Sequence, residues 1–206
     1  MRICIIDYGV GNLNSIYTQI KKNYSDVYIS NEEDKISNSD KLILPGVGSA
    51  NFAMKKIREM KLDKVLEHEV LKKKKPILGI CLGMQVFFEN LYENGMSKGL
   101  QFKKGNVRKI NEKFKNTVVP NIGWGKVNFK NTEIENFIGK YNNFYFCHSY
   151  YVDTDNKNYL AFLDKTSIPA ATLKNNIIGV QFHPEKSSVS GELLLKWFIE
   201  KFNALQ

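Results

Sequence analysis

Cysteine is scarce in this chain: three residues in 206, an odd number, with no Cys-x-x-Cys or His-x-x-x-His spacing. That leaves no disulfide framework and no ligand set for zinc or iron, so neither a metal nor another cofactor is expected. Cys4 and Cys147 fall inside apolar runs and are expected to be buried in strands, a usage that fits a reducing compartment. No run approaches the roughly 18 apolar residues of a membrane helix. The opening Met1-Arg2-Ile3-Cys4-Ile5-Ile6 meets Asp7 too soon for a secretory signal, so a cytoplasmic protein with no membrane partner is expected. With five prolines, no internal repeat and no low-complexity linker, residues 1–206 are expected to form a single domain.

Acidic residues are also in deficit, 21 against 30 Lys and Arg, a net charge of +9. The lysines are nevertheless dispersed and the aromatics fall in core-like patterns, which argues against a nucleic-acid partner. Lys72 to Lys75 is the one dense cationic run. It sits at the C-terminal end of a predicted helix before Pro76, where cations complement the helix dipole. Nucleotide binding lacks its motifs as well. Gly9-Val10-Gly11 has Asn14 where the dinucleotide fingerprint needs its third glycine, and there is no Gly-Lys-Ser/Thr phosphate loop.

What the chain does contain is short Ile-, Val- and Leu-rich runs alternating with helical patterns. Ile3 to Ile6 precedes a helix over 12–22, Lys41 to Leu44 one over 49–60, and Ile77 to Ile80 one over 82–93. This alternation predicts an α/β fold, a parallel sheet flanked by helices. Beyond Gly99 the pattern shifts to strand-like pieces at 126–129, 143–151, 159–163 and 177–181, closed by an amphipathic helix over 190–202, so the sheet is expected to be mixed but mostly parallel. Gly-bearing loops end the first three strands, on the edge where open α/β sheets place their sites.

The third of these loops, Gly79-Ile80-Cys81-Leu82-Gly83, reads as a nucleophile elbow with cysteine at its tip. Small residues two positions either side let strand and helix pack beneath a strained nucleophile, and the helix N-terminus favours thiolate. A cysteine nucleophile needs a base. His68 sits among helical charges and reads as a surface residue, and His148 in the strand Phe144 to Tyr150 reads equally well as structural or site-lining. His183 ends an apolar strand and is followed by Pro184 and Glu185, so that Glu185 can hold one ring nitrogen while the other faces Cys81. The N–H of Leu82 and a backbone N–H of Pro45-Gly46-Val47-Gly48, that of Val47 with Gly48 beside it, are the expected oxyanion donors.

Gly79 to Gln85 and Gln181-Phe182-His183-Pro184-Glu185 resemble the two signatures of the class I, triad-type glutamine amidotransferases. The closer resemblance is to the glutaminase subunits of imidazole glycerol phosphate synthase. It rests on 6–13, Leu44 to Gly48, Met84-Gln85, Pro120-Asn121-Ile122-Gly123-Trp124 and His183 to Ser187, and it covers essentially the whole chain. The resemblance implies a flavodoxin-like α/β domain that hydrolyses L-glutamine through a γ-glutamyl thioester on Cys81, with His183 as acid-base and Glu185 as its orienter. By the same resemblance Gly46, Gln85, Glu93, Ser149 and Tyr150 bind substrate. Asn12, Asn121, Gly123, Trp124 and Lys186 would lie toward the partner or the ammonia path. The implied partner is a (β/α)8 barrel synthase subunit, forming a heterodimer in histidine biosynthesis.

The family's loop usually reads Pro-His-Met/Ile-Gly-Trp-Asn, whereas here Asn121 replaces the histidine and Gly125 the final asparagine. That departure opens a second reading, a paralogous glutaminase feeding another amidotransferase such as one that amidinates surface sugars. A third, of another class, is a non-catalytic regulatory binding subunit, against which the intact Cys81, His183 and Glu185 stand.

Overall fold

The structure, a computed structural model, describes residues 1–115 and 117–203. In chain order its strands are β1 (Ile3–Ile6), β2 (Val27–Ser30), β3 (Lys41–Leu44), β4 (Ile77–Ile80), β5 (Phe88–Tyr92), β6 (Met96–Lys98) and β7 (Lys103–Lys109). They continue as β8 (Asn121–Phe129), β9 (Asn143–His148), β10 (Tyr150–Asp153), β11 (Tyr159–Leu163), β12 (Pro169–Lys174) and β13 (Ile177–Val180).

Nine of them form the main sheet in the order β2-β1-β3-β4-β13-β12-β11-β8-β9. The first five run parallel, and the pairings from β13 through to β9 are antiparallel. The expected mixed character is therefore present, but the sheet is not mostly parallel: its four parallel pairings form the first half and four antiparallel ones the second. β1, β3, β4 and β13 are buried along their whole length, because helices cover both faces of a parallel sheet and each strand must be apolar on both sides. The helix Leu13–Lys21 contributes Ile16 and Ile20 to one face and the closing helix Ser188–Glu200 packs Leu194, Phe198 and Ile199 there, while Ala50–Glu59 buries Ala53, Met54 and Ile57 on the other. Each such Ile or Leu withdrawn from water contributes roughly 1.5–3 kcal/mol.

The predicted helix over 82–93 is a single turn, Leu82–Gln85, and the chain then becomes strand β5. Leu100 and Lys103 take the backbone carbonyls of Val86 and Phe87 that a longer helix would have used. β5 belongs to a second, four-stranded sheet, β10-β7-β5-β6, that the sequence reading did not anticipate. The predicted strand over 143–151 is likewise two strands, β9 in the main sheet and β10 in the small one, parted at Ser149. The lysine run lies at the C-terminal end of a helix as expected, with Lys72 in the last turn and Lys73 at the cap, and two of its members also meet a buried acid. The segment Glu67–Lys72 is a π-helical turn, and Lys73 and Lys75 lie 2.9 and 2.8 Å from the buried carboxylate of Glu69. Burial raises the pKa of Glu69, but hydrogen bonds and charge from these two lysines, with a hydrogen bond from Ser37, outweigh it and lower the value to about 2.

Because β9 is antiparallel to β8, β8 to β11, β11 to β12 and β12 to β13, strand β9 points the same way as β13. The carboxyl ends of β1, β3, β4, β13 and β9 thus share one edge, and the segments that follow them meet there.

Candidate active site

Cys81 leaves β4 with φ +52° and ψ −110° and caps the turn Leu82–Gln85. This is the strained strand-to-helix conformation expected of an elbow. Its glycines are required by space: a Cβ on Gly79 would stand 2.4 Å from the Phe87 ring and 2.7 Å from the Gly83 carbonyl oxygen, and one on Gly83 would stand 1.9 Å from the Leu44 carbonyl oxygen. The Cys81 N–H donates to the Val180 carbonyl at 2.7 Å, which ties the nucleophile to the neighbouring strand.

His183 lies beyond β13, not on it, and Pro184–Lys186 forms a 3₁₀ turn. The turn, and not the pleat of a strand, therefore brings Glu185 back to the imidazole. The Nδ1 atom of His183 is 2.9 Å from Glu185 Oε1. Three further bonds anchor His183 to β9: its N–H donates to the Tyr145 carbonyl, its carbonyl accepts from Ser187 Oγ at 2.6 Å, and that hydroxyl accepts from Tyr145 N–H. Burial alone would lower the imidazole's pKa, but hydrogen bonding and charge from Cys81 and Glu185 outweigh it and raise it to about 10.

Cys81 and His183 line one cavity of about 280 Å³, at the small end of the range for ligand pockets. Leu82, Val47 and Gly48 form part of its wall, as do Gln85, Glu93, Ser149, Tyr150 and Lys186. Glu185 stands behind His183. Gly46 does not line the cavity. It packs on the elbow, where a Cβ would meet the Gly83 nitrogen at 2.6 Å and the Tyr8 hydroxyl at 2.8 Å. Tyr8 donates to the Pro45 carbonyl at 2.7 Å and so steadies that loop.

Asn12 is set apart at the N-cap of Leu13–Lys21, with its side-chain oxygen accepting from Ser15 Oγ. Asn121 donates from Nδ2 toward His148 Nε2 at 2.9 Å, and His148 Nδ1 bonds the Tyr150 carbonyl at 2.8 Å. His148 is therefore a buried cavity-lining residue, and burial lowers its pKa to about 4. Trp124, 58% exposed, meets Tyr145 edge to face on the outer side of the β8–β9 pair, beside exposed Ile122. Gly123 lies between those two with φ +132°.

Cys147 is a correction. It is exposed and borders the cavity, because Phe144, Phe146 and His148 take the buried face of β9 and alternation turns Cys147 outward. Sequence reasoning also passed over Gln181. Its only signal in the sequence is its place in the Gln181-Phe182-His183-Pro184-Glu185 signature, yet its amide lies 3.5 Å from Cys81 Sγ.

With the geometry in place, comparison with known proteins is direct. The family model described as glutamine amidotransferase class-I matches residues 4–201. The chain belongs to the class-I glutamine amidotransferases. It is accordingly a glutamine-hydrolysing enzyme subunit. Curated relatives named imidazole glycerol phosphate synthase subunit HisH include one from Oceanobacillus iheyensis, 42% identical over 96% of this chain and 98% of that protein. A relative from Methanococcus maripaludis, named HisH 2, is 43% identical over 97% and 99% of the two chains. Among solved structures, a glutamine amidotransferase superposes with a TM-score of 0.73 at 14% identity, covering 96% of this amidotransferase and 97% of that chain. At that identity the likeness speaks for the fold alone.

Proposed function

We propose that this amidotransferase is the glutaminase subunit of an imidazole glycerol phosphate synthase, folded as one domain over residues 1–206 and acting in the cytoplasm. The observation that carries the reading is the cavity itself, where an elbow cysteine meets an imidazole held 2.9 Å from Glu185. The near full-length relatives named HisH support the choice of pathway.

The Cys81 thiolate attacks the side-chain amide carbon of L-glutamine. The resulting oxyanion is met by the N–H of Leu82, which has no partner inside its own helix, and by a backbone N–H of the Val47-Gly48 wall. Protonated His183, oriented by Glu185, gives its proton to the departing nitrogen, so the C–N bond breaks, ammonia leaves and a γ-glutamyl thioester remains. Neutral His183 then takes a proton from water as its oxygen attacks the thioester, and glutamate and the thiolate are released. Glu93 is the one acidic side chain among the residues lining the cavity, and it pairs with the substrate's α-ammonium. The backbone at Ser149 and Tyr150 and the amide of Gln85 meet the remaining polar groups.

Ammonia is the product that a partner consumes. Ile122 and Trp124 share the exposed face of β8, and Lys186 reaches over the Tyr145 ring at the cavity's rim. This face suits the (β/α)8 barrel subunit of a heterodimer, with the lyase step taking place on that partner.

The alternative acceptor rests on two observations, the departures at Asn121 and Gly125 and the numbered HisH copies among the relatives. Both departures are absorbed within the fold. Asn121 bonds His148, and a Cβ at Gly125 would stand 2.4 Å from Leu163 Cδ1. They therefore weigh little on the partner's identity. Glutaminase activity titrated with the barrel subunit and its ribotide ligand decides the matter. A rise in rate supports the assignment, and no stimulation at saturating partner sinks it.

A further inference from the structure

Gln181 is fully buried one residue beyond β13. Its backbone N–H is used by the Ala170 carbonyl, which leaves its side chain to be accounted for. Gln181 Nε2 lies 3.5 Å from Cys81 Sγ, an ordinary distance for an N–H donor to sulfur, and its Oε1 accepts from Gln85 Nε2 at 2.9 Å. The amide orientation follows from the far end of the chain of bonds. The Tyr150 carbonyl can only accept, so the Gln85 atom 3.2 Å from it is the amino group. That group then faces the Gln181 oxygen, and the Gln181 amino group is left facing the sulfur.

We propose that Gln181 is a catalytic residue of the glutaminase, donating an amide N–H to Cys81 Sγ, with Gln85 and the Tyr150 carbonyl fixing the direction of that donor. A neutral thiol is a weak acceptor and a thiolate a strong one, so a fixed donor favours the charged sulfur. The opposing contact is weaker: the Cys147 carbonyl, which can accept only from a protonated thiol, lies 4.0 Å from Sγ. Gln181 thus acts twice. It holds the thiolate before attack on the amide, and it receives the thiolate again when water displaces it from the thioester. Because the same bonds reach the Tyr150 backbone, a displacement of the wall at Tyr150 is felt at the nucleophile.

This inference rests on Cys81 being the nucleophile, and its test is chosen to be read without glutamine. The rate of Cys81 alkylation by chloroacetamide is followed against pH in the full chain and in Gln181→Met, which keeps the length of the side chain but has no donor. The midpoint of the Gln181→Met profile is expected about one pH unit higher, so that alkylation below the midpoint is about tenfold slower. The kcat for glutamine is expected to fall by at least that factor, with KM within about twofold. A folded Gln181→Met protein with an unchanged alkylation midpoint overturns the proposal and leaves Gln181 a structural residue. A second measurement uses the parent protein: the side-chain amide resonance of Gln181 should shift as Cys81 ionises and stop doing so once Cys81 is alkylated. An amide resonance indifferent to both also overturns it. If the parent alkylates as described but does not hydrolyse glutamine, the functional reading has failed and the hydrogen bond has not.

Discussion

The carboxylate of Glu93 accepts a hydrogen bond from the backbone N–H of Ala50 at 2.6 Å, so a residue on the cavity wall caps the helix that follows the Gly46-Val47-Gly48 loop. Helix Ala50–Glu59 has no local cap from Ser49 and no acid in its first turn. Glu93 supplies both an acceptor and a negative charge to a helix N-terminus, and its own carbonyl accepts from Asn51 Nδ2 at 3.0 Å. Glu93→Ala is expected to lower stability by about 1–2 kcal/mol, read from denaturant midpoints. Glu93→Gln, which keeps an acceptor, is expected to cost less than half of that. Both should raise KM for glutamine at least tenfold, since both lose the charge proposed to pair with the substrate's ammonium. A Glu93→Gln enzyme with parental KM would remove Glu93 from the substrate site.

The limits of the sequence reading fall at particular residues. β1, β3 and β4 were legible because strands covered on both faces are continuous apolar runs. The elbow was legible because three close backbone approaches permit only glycine. Met84, Phe87, Phe88 and Leu91 misled, since their spacing is that of a helix face. What makes Phe88–Tyr92 a strand is a distant partner, β7, and the close approach of Gly99, where a Cβ would stand 2.2 Å from the Phe88 carbonyl oxygen. One local signal does point to a strand, the Asn94-Gly95 turn that joins β5 to β6, and the helix-like apolar spacing masks it. Cys147 was different, because alternation along β9 was available in the sequence, and its aromatic neighbours masked it. The amides of Gln85 and Gln181 meet only in three dimensions.

The glycines around the cavity divide into two kinds, which substitution should separate. At Gly83 a Cβ would overlap the Leu44 backbone, which cannot move without displacing β3. Gly83→Ala is expected to cost about 3 kcal/mol and to yield little folded protein. At Gly48 a Cβ would meet nothing within 4 Å, but φ is +86°. Gly48→Ala should cost about 1–2 kcal/mol and fold, with the loss showing in kcat because the backbone proposed to meet the oxyanion is stiffened. Equal stability losses in the two variants would contradict this division.

Lys41 opens β3 at the edge opposite the cavity, and its buried ammonium donates to the carbonyls of Phe198, at 2.7 Å, and Phe202. It also lies 5.4 Å from the centre of the Phe198 ring. Helix Ser188–Glu200 has no basic residue in its last turn, so Lys41 adds a buried cation from the sheet to the C-terminal end of its dipole. Lys41→Met keeps the apolar stem and removes the donor. Stability should fall by about 1–3 kcal/mol while kcat and KM for glutamine are unchanged, measured by denaturant unfolding and a coupled glutamate assay. A loss of activity without a loss of stability would mean that Lys41 reaches the site by a route this geometry does not contain.

The two histidines of the cavity should titrate in opposite directions. His183 is raised from 6.5 to about 10, so its contribution to stability is fully present below pH 6.5 and is lost as pH rises through about 10. His148 is lowered from 6.5 to about 4 by burial, with protonated His183 adding to the effect. The unfolded chain therefore binds the His148 proton first, and stability falls as pH drops from about 6.5 to about 4. Ring resonances followed by NMR should show His183 charged and His148 neutral throughout the neutral range. Cys81 is the strongest influence opposing burial at His183, so Cys81→Ser should bring the His183 midpoint down toward 6.5, whereas His148, held by Asn121 and the Tyr150 carbonyl, should move little. A His183 midpoint near 6.5 in the parent protein would mean that Cys81 and Glu185 do not outweigh burial at the imidazole.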